Sequence, residues 1–187
     1  MRESQVKIAI PDTRRAARDM GYMREALRLA RAAAVGGEIP VGAVLAFEGR
    51  ILAGGFNRSI GASDPTAHAE IVAIREAAAR IGNYRLTGAE LVVTLEPCLM
   101  CFGAAIHARI GRVVFGAPDP RLGAAALVQG LQRMPGILNH RLAIDGGIAA
   151  EECATLLSEF FAERRREARG GAHTGQESTV GEVPKWS

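Results

Sequence analysis

Three cysteines, Cys98, Cys101 and Cys153, are all that this 187-residue chain contains. That is too few for a disulfide framework at this length, so the Cys-x-x-Cys pair points to metal or redox chemistry instead. Apolar runs of about eighteen residues or more are lacking, and no ordinary membrane-spanning helix is expected. The opening MRESQVKIAIPDTRRAARDM carries charges but no apolar stretch leading to a small-residue cleavage site, so it does not read as a secretory signal. Glu3, Asp12 and Asp19 are out of place in an Arg-rich transit peptide, and a cytoplasmic location is expected. A strong excess of one charge is missing too. The 23 Lys and Arg against 20 Asp and Glu leave a formal net charge of +3, compatible with a nucleic-acid partner without requiring one. What remains is an ordinary globular balance, 48% hydrophobic and 23% charged, in a length that suits one domain.

Along the chain, residues 1–19 show no sustained period and read as an extension without fixed structure. Over residues 20–35, Met23, Leu27, Ala30 and Ala34 recur at helical spacing until Gly36-Gly37 ends the helix. Residues 41–47 and 50–56 read as a hairpin turning at Glu48-Gly49, and 57–66, with Gly61 and Asp64-Pro65, as a loop. Asp64 or Thr66 is placed to cap a second helix that runs to about Ile81. Residues 91–95 form a short apolar strand buried on both faces, and Pro97 suits the first turn of a third helix. Two more strands fall at 112–115 and 141–144. A last helix covers 149–166, with Leu156, Leu157, Phe160 and Phe161 inside and arginines at its end, where the helix dipole favours cations. Residues 168–187 are Gly, Ser, Thr and Glu without an apolar period and read as a disordered tail. Strands alternating with helices over 20–167 imply one α/β layered domain.

Two short segments carry chemistry: His68-Ala69-Glu70 and Pro97-Cys98-Leu99-Met100-Cys101. Cys98 and Cys101, three apart on a helix, share a face, and a first-turn position lowers a thiol's pKa toward the thiolate that a metal needs. With His68 they make three protein ligands and an open position, the pattern of a catalytic zinc. Zinc lowers the pKa of water from about 15.7 to roughly 7. Glu70, a carboxylate that is not a ligand, can take a proton from water and return it to a leaving amine. Residues two apart in mid-helix face apart, so His68 and Glu70 converge only at a helix start, where the sequence puts them. The H-x-E and P-C-x-x-C pair is the signature of zinc deaminases. A redox Cys-x-x-Cys, a helix-capping His68 and a noncatalytic zinc domain are the competing readings. The last leaves Glu70 without a role.

Three segments then resemble bacterial tRNA-specific adenosine deaminases of the cytidine-deaminase-like superfamily. They are Asp64-Pro-Thr-Ala-His-Ala-Glu70, Thr94-Leu-Glu-Pro-Cys-Leu-Met-Cys101 and Arg109-Ile-Gly-Arg-Val-Val-Phe-Gly116. Asn57, the Phe115-Gly-Ala-x-Asp119 stretch, Asn139-His140 and the Phe160-Phe161-x-x-Arg164-Arg165 ending narrow the likeness to that family. It implies a three-layer α/β/α fold around a five-stranded mixed sheet, one zinc ion per subunit held by His68, Cys98 and Cys101, and Glu70 as proton shuttle. It also implies a homodimer that binds a tRNA anticodon loop and converts the flipped wobble adenosine to inosine. Asn57 is then expected to bond the purine, Asp119 and Arg121 to contact RNA at the loop, and Phe160 and Arg164 to lie along the RNA path.

Each of the last set has a plainer reading. Asn57 can stabilise a strand end, Asp119 can be a turn residue, and Arg164-Arg165-Arg166 can be a solvated helix end. Phe160 and Phe161 are expected to put at least one ring in the core. Cys153 reads as a small buried apolar residue, His107 as a surface or interface histidine, and His140 as structural. Ser59, Arg121, Ala126-Leu127, Pro118 and Pro120 depart from the family's usual residues, all away from the metal ligands. The alternative function is deamination of a free base or nucleotide, such as guanine or cytosine, which shares the metal site but needs no basic last helix.

Overall fold

The computed structural model describes residues 13–171; the expectations for 1–12 and 172–187 lie outside the described residues. Helix α1 (Thr13–Val35) starts well before residue 20. Its buried stripe of Tyr22, Met23, Ala26, Leu27, Ala30 and Ala33 extends back one turn to Asp19, and an acid does not register in an apolar period. Asp19 is buried because the Arg112 guanidinium grips it with two hydrogen bonds of 2.8 and 2.7 Å. At the other end Gly37 takes φ 77°. The Gly37 and Glu38 amides donate back to the Ala34 and Ala33 carbonyls at 2.9 and 3.0 Å, a Schellman ending.

Strands β1 (Gly42–Phe47) and β2 (Arg50–Phe56) form the expected hairpin. Its turn residues Glu48 and Gly49 both have positive φ, the geometry that matches strand twist in a two-residue loop. After α2 (Ala69–Ile81) come β3 (Glu90–Leu95), α3 (Leu99–His107), β4 (Arg112–Ala117), α4 (Ala125–Arg133), β5 (Ala143–Gly146) and α5 (Ala150–Gly171). The five strands lie in the order β2-β1-β3-β4-β5. β1 runs antiparallel to β2 and β3, and β3, β4 and β5 are parallel.

Alternation along the central strands makes the layers. Val44, Ala46, Val92 and Val114 face α1 and α5, packing on Met23, Leu27 and Cys153. Ala43, Leu45, Leu91, Val93 and Val113 face α2, α3 and α4, packing on Ala73, Phe102 and Val128. Each fully buried Val, Leu or Phe side chain contributes about 1.5–3 kcal/mol. Two glycines set how closely helices approach the sheet. A Cβ on Gly42 would lie 2.0 Å from the Ala26 carbonyl oxygen, and one on Gly55 would lie 2.5 Å from that of Ala69. Gly55 therefore lets the first turn of α2 sit directly on β2.

Several local expectations are corrected. Asp64 does not cap α2; its carboxylate accepts from the Thr66 amide and hydroxyl at 2.8 and 2.7 Å, closing a turn inside the loop, and His68 is the N-cap residue. Pro97 precedes α3, whose N-cap is Cys98. Strand β5 sits two residues later than read, because its residues are exposed or half-buried and their pattern carries no register. Neither Phe160 nor Phe161 is in the core: Phe160 is half-buried and Phe161 is 42% exposed. Of the described α5 residues, Cys153 alone is buried; Leu156 and Leu157 pack half-buried against the two core layers, and Ala154, Leu157, Ser158 and Phe161 border a cleft. The helix continues to Gly171, past the domain end expected at 167.

Candidate active site

The start of β1 and the C-terminal ends of β2, β3 and β4 lie at one edge of the sheet, where ligands of open α/β sheets bind. His68, at the start of α2, has extended backbone (φ −70°, ψ 153°), as does Cys98 at the start of α3 (φ −74°, ψ 171°). The first geometry lets His68 and Glu70 point the same way. The Asn57 side-chain oxygen accepts from the Ala69 amide at 2.9 Å and serves the N-terminus of α2 from outside.

The His68 Nδ1 atom is 3.8 Å from the Cys98 Sγ and 3.6 Å from the Cys101 Sγ. All three ligand atoms lie within 4.8 Å of one another, and no other such group occurs among the described residues. Tetrahedral zinc with bonds of about 2.3 Å to sulfur and about 2.05 Å to nitrogen requires S···N separations of about 3.6 Å. The donor set therefore fits the ion in identity and spacing. Cys153 is no fourth ligand, because its sulfur lies in the opposite layer, 3.8 Å from that of Met23.

Protons are strongly redistributed within the cluster. The hydrogen bonds from the Cys101 thiol and from His68 pull Cys98 down to about 4. Bonding to Cys98 and burial push Cys101 up, and the bond to Cys98 raises His68. Burial raises Glu70, which is only 4% exposed.

Around these groups opens a cleft of about 890 Å³, its floor containing His68, Glu70 and Cys98 and its walls Asn57, Asp119 and Arg121. It is large enough for a nucleotide. Apolar Ile39, Ile60, Leu122 and Phe161 complete the rim. Phe160 and Arg164 are not part of this lining. The Arg164 guanidinium donates to the Gly37 carbonyl at 2.8 Å and lies over the Phe160 ring at 5.3 Å, tying α5 to the end of α1. The lining residue from this helix segment is Phe161. Asp119 does act in a turn, its Oδ1 accepting from the Arg121 and Leu122 amides at 2.9 and 3.2 Å. His107 is exposed, and His140 donates to the Ile110 carbonyl at 2.7 Å.

The cytidine and deoxycytidylate deaminase zinc-binding region matches residues 17–117, a span that includes all three metal-spaced side chains and Glu70. The tRNA-specific adenosine deaminase of Haemophilus influenzae is 50% identical over 156 residues, covering 81% of this chain and 87% of that protein. That of Bacillus subtilis is 42% identical, covering 79% and 91%. This chain belongs to the tRNA-specific adenosine deaminase family. A structure from studies of A-to-I editing by tRNA:A34 deaminases at the wobble position superposes with a TM-score of 0.69 at 43% identity, covering 73% of this chain and 99% of that one. The matched family model is a zinc-binding region, and the His68, Cys98 and Cys101 cluster supplies the ligands for that ion.

Two lining carboxylates in this deaminase escaped the sequence reading. Glu38, 5% exposed, accepts from the Ile60 and Gly61 amides at 3.2 and 2.7 Å and holds the loop between β2 and α2. Glu96 accepts from the Asp119 and Ala125 amides at 3.1 and 3.0 Å. Each acts on backbone far away in sequence, which no local motif announces. Ala126 and Leu127, departures from the usual family residues, are exposed on α4 and do not line the cleft.

Proposed function

We propose that this chain converts the wobble adenosine of a tRNA to inosine by zinc-dependent hydrolysis. The observation that carries this reading is the ligand triangle of His68, Cys98 and Cys101 beside the buried Glu70, at the floor of an open cleft. Its family relatives are tRNA-specific adenosine deaminases.

His68 Nδ1, Cys98 Sγ and Cys101 Sγ hold zinc in this reading, and bound zinc supplies the Lewis acidity that makes water a nucleophile near neutral pH. Glu70 removes the proton from the attacking water. It delivers that proton to the purine ring nitrogen adjacent to C6 as the C6–O bond forms. The proton remaining on the new C6 hydroxyl then passes through the same carboxylate to the amino group as the C6–N bond breaks and the C6 carbonyl forms, and ammonia leaves. Burial raises the Glu70 carboxyl above its ordinary value, which favours holding a proton that it can return. The Asn57 oxygen is engaged by Ala69, which leaves its amide N–H donors for purine acceptors. Asp119 retains Oδ2 to accept a ribose 2′-hydroxyl, and exposed Arg121 is suited to phosphate. Phe160 and Arg164 lie on α5 outside the cleft lining and in this reading meet RNA that leaves along that helix.

Zinc-loaded protein offered an anticodon stem-loop, free guanine and free cytosine separately is expected to release ammonia from the stem-loop alone. Faster turnover of either free base would overturn the substrate class. The working form in this reading is a homodimer, supported by the exposed Leu99 and Met100 on α3 (55% and 37%). Sedimentation at micromolar concentration decides it, and a monomer there contradicts it. No helix among the described residues is long and apolar enough to cross a membrane, and a tRNA substrate supports a cytoplasmic location.

A further inference from the structure

Glu96 stands between the two halves of the cleft. It is the residue after β3 and lies two positions before Cys98, so its backbone is continuous with the metal-ligand segment. Its side chain reaches the opposite wall: Oε2 accepts from the Asp119 amide at 3.1 Å and Oε1 from the Ala125 amide at 3.0 Å. Ala125 opens α4, whose N-cap residue, Ala124, makes no side-chain capping bond. Glu96 thus provides from a distance both the missing cap acceptor and the negative charge favoured at a helix N-terminus.

The wall it holds is already folded on itself. Asp119 Oδ1 accepts from the Arg121 and Leu122 amides, and the Asp119 carbonyl accepts from the Gly123 amide at 3.0 Å. Gly123 leaves the space that the Glu96 carboxylate fills: a Cβ there would lie 2.4 Å from the Glu96 Cδ and 2.5 Å from the Asp119 carbonyl oxygen. The rim formed by residues 118–122 is therefore a small rigid body with Glu96 as its side-chain anchor to the strand that leads into the metal ligands. A second tie, the Ala124 amide to the Pro97 carbonyl at 3.1 Å, lies directly beside it.

We infer that Glu96 is a positioning residue that fixes the 118–122 rim relative to the metal ligands, and so sets how tightly the RNA around the reacting base is held. This rests on reading the cleft as the RNA site. Glu96 itself bonds only backbone amides, so the chemical step at Glu70 is left intact when the anchor is weakened.

The test uses full-length zinc-loaded protein and an anticodon stem-loop, comparing wild type with Glu96→Gln and Gly123→Ala. In Glu96→Gln one oxygen becomes an N–H donor facing an N–H donor. In Gly123→Ala the carboxylate is displaced from the other side. Both variants are expected to raise KM for the stem-loop tenfold or more, to leave kcat within threefold and to keep one zinc per chain. Hydrogen exchange in the segment spanning 117–126 is expected to accelerate in both. Unchanged KM with faster exchange, or unchanged exchange, overturns the proposal; so does a fall in kcat accompanied by zinc loss, which would assign Glu96 to the metal cradle. If Glu96→Gln does not fold, Gly123→Ala carries the same comparison. Wild-type protein that leaves the stem-loop unmodified refutes the functional reading itself, a result distinct from any difference between variants.

Discussion

Replacing Gly55 by alanine inserts one methyl group between β2 and the first turn of α2, and its consequences should appear at the metal. The new Cβ would lie 2.5 Å from the Ala69 carbonyl oxygen and 2.7 Å from the Ala73 nitrogen. Both are backbone atoms, which cannot swing aside. Ordinary contact begins at 3.4 Å, so the helix start must retreat by about 0.9 Å, and overpacking of this kind costs about 1–3 kcal/mol. His68 immediately precedes that turn, whereas metal–ligand distances tolerate only about 0.2 Å. Zinc affinity should fall about 10- to 100-fold, the usual range for damage to the surroundings of a metal ligand. Gly54 provides the control on the opposite face of the strand. A Cβ there would meet the Leu29 Cδ1 methyl at 2.8 Å, the mobile end of a side chain. Competition with a chromophoric chelator measures both variants. Gly54→Ala should bind zinc within threefold of wild type. Wild-type affinity in Gly55→Ala, with its fold intact, would refute the claim that this glycine places His68.

Asn57→Ala removes the acceptor for the Ala69 amide and should cost about 0.5–2 kcal/mol in urea unfolding, with a higher KM for the stem-loop; a change in neither would leave Asn57 without the assigned part. Arg112→Met leaves the buried Asp19 without its partner and removes the 2.8 and 2.6 Å bonds to Glu90 and Asp145, which keep Arg18 and Arg15. Loss of about 3–5 kcal/mol is expected, and denaturant titration showing less than 1 kcal/mol would contradict it. Removing zinc with a chelator should abolish turnover while far-UV circular dichroism stays unchanged, because both core layers are packed without the metal ligands' help; cooperative unfolding on chelation would assign the ion a structural role.

What could be read from the chain in advance was what local spacing carries. The hairpin turn, the helical stripe from Met23 to Ala30 and the His-x-Glu and Pro-Cys-x-x-Cys segments all depend on neighbours a few residues apart. What escaped depends on partners far off. Asp19 becomes part of α1 because of Arg112, 93 residues away. Glu38 and Glu96 reach across 22 or more residues to backbone amides, and α4 is a nine-residue helix whose N-cap, Ala124, offers no capping side chain to mark its start. Phe160 and Phe161 have the spacing of core residues, but beyond Leu157 the helix no longer packs on either core layer, and Phe161 borders the cleft instead. The same geometry explains why Phe161, rather than the neighbour singled out on sequence, lines the site.

Nucleoside analysis of an anticodon stem-loop with adenosine at the wobble position, after incubation with zinc-loaded wild type and Glu70→Gln, tests the central claim most directly. Wild type should yield one inosine and one ammonia per stem-loop, and Glu70→Gln should turn over about 10²–10⁴ times more slowly with its zinc content unchanged. Equal rates in the two proteins, or no inosine from correctly folded, zinc-replete wild type, would contradict it.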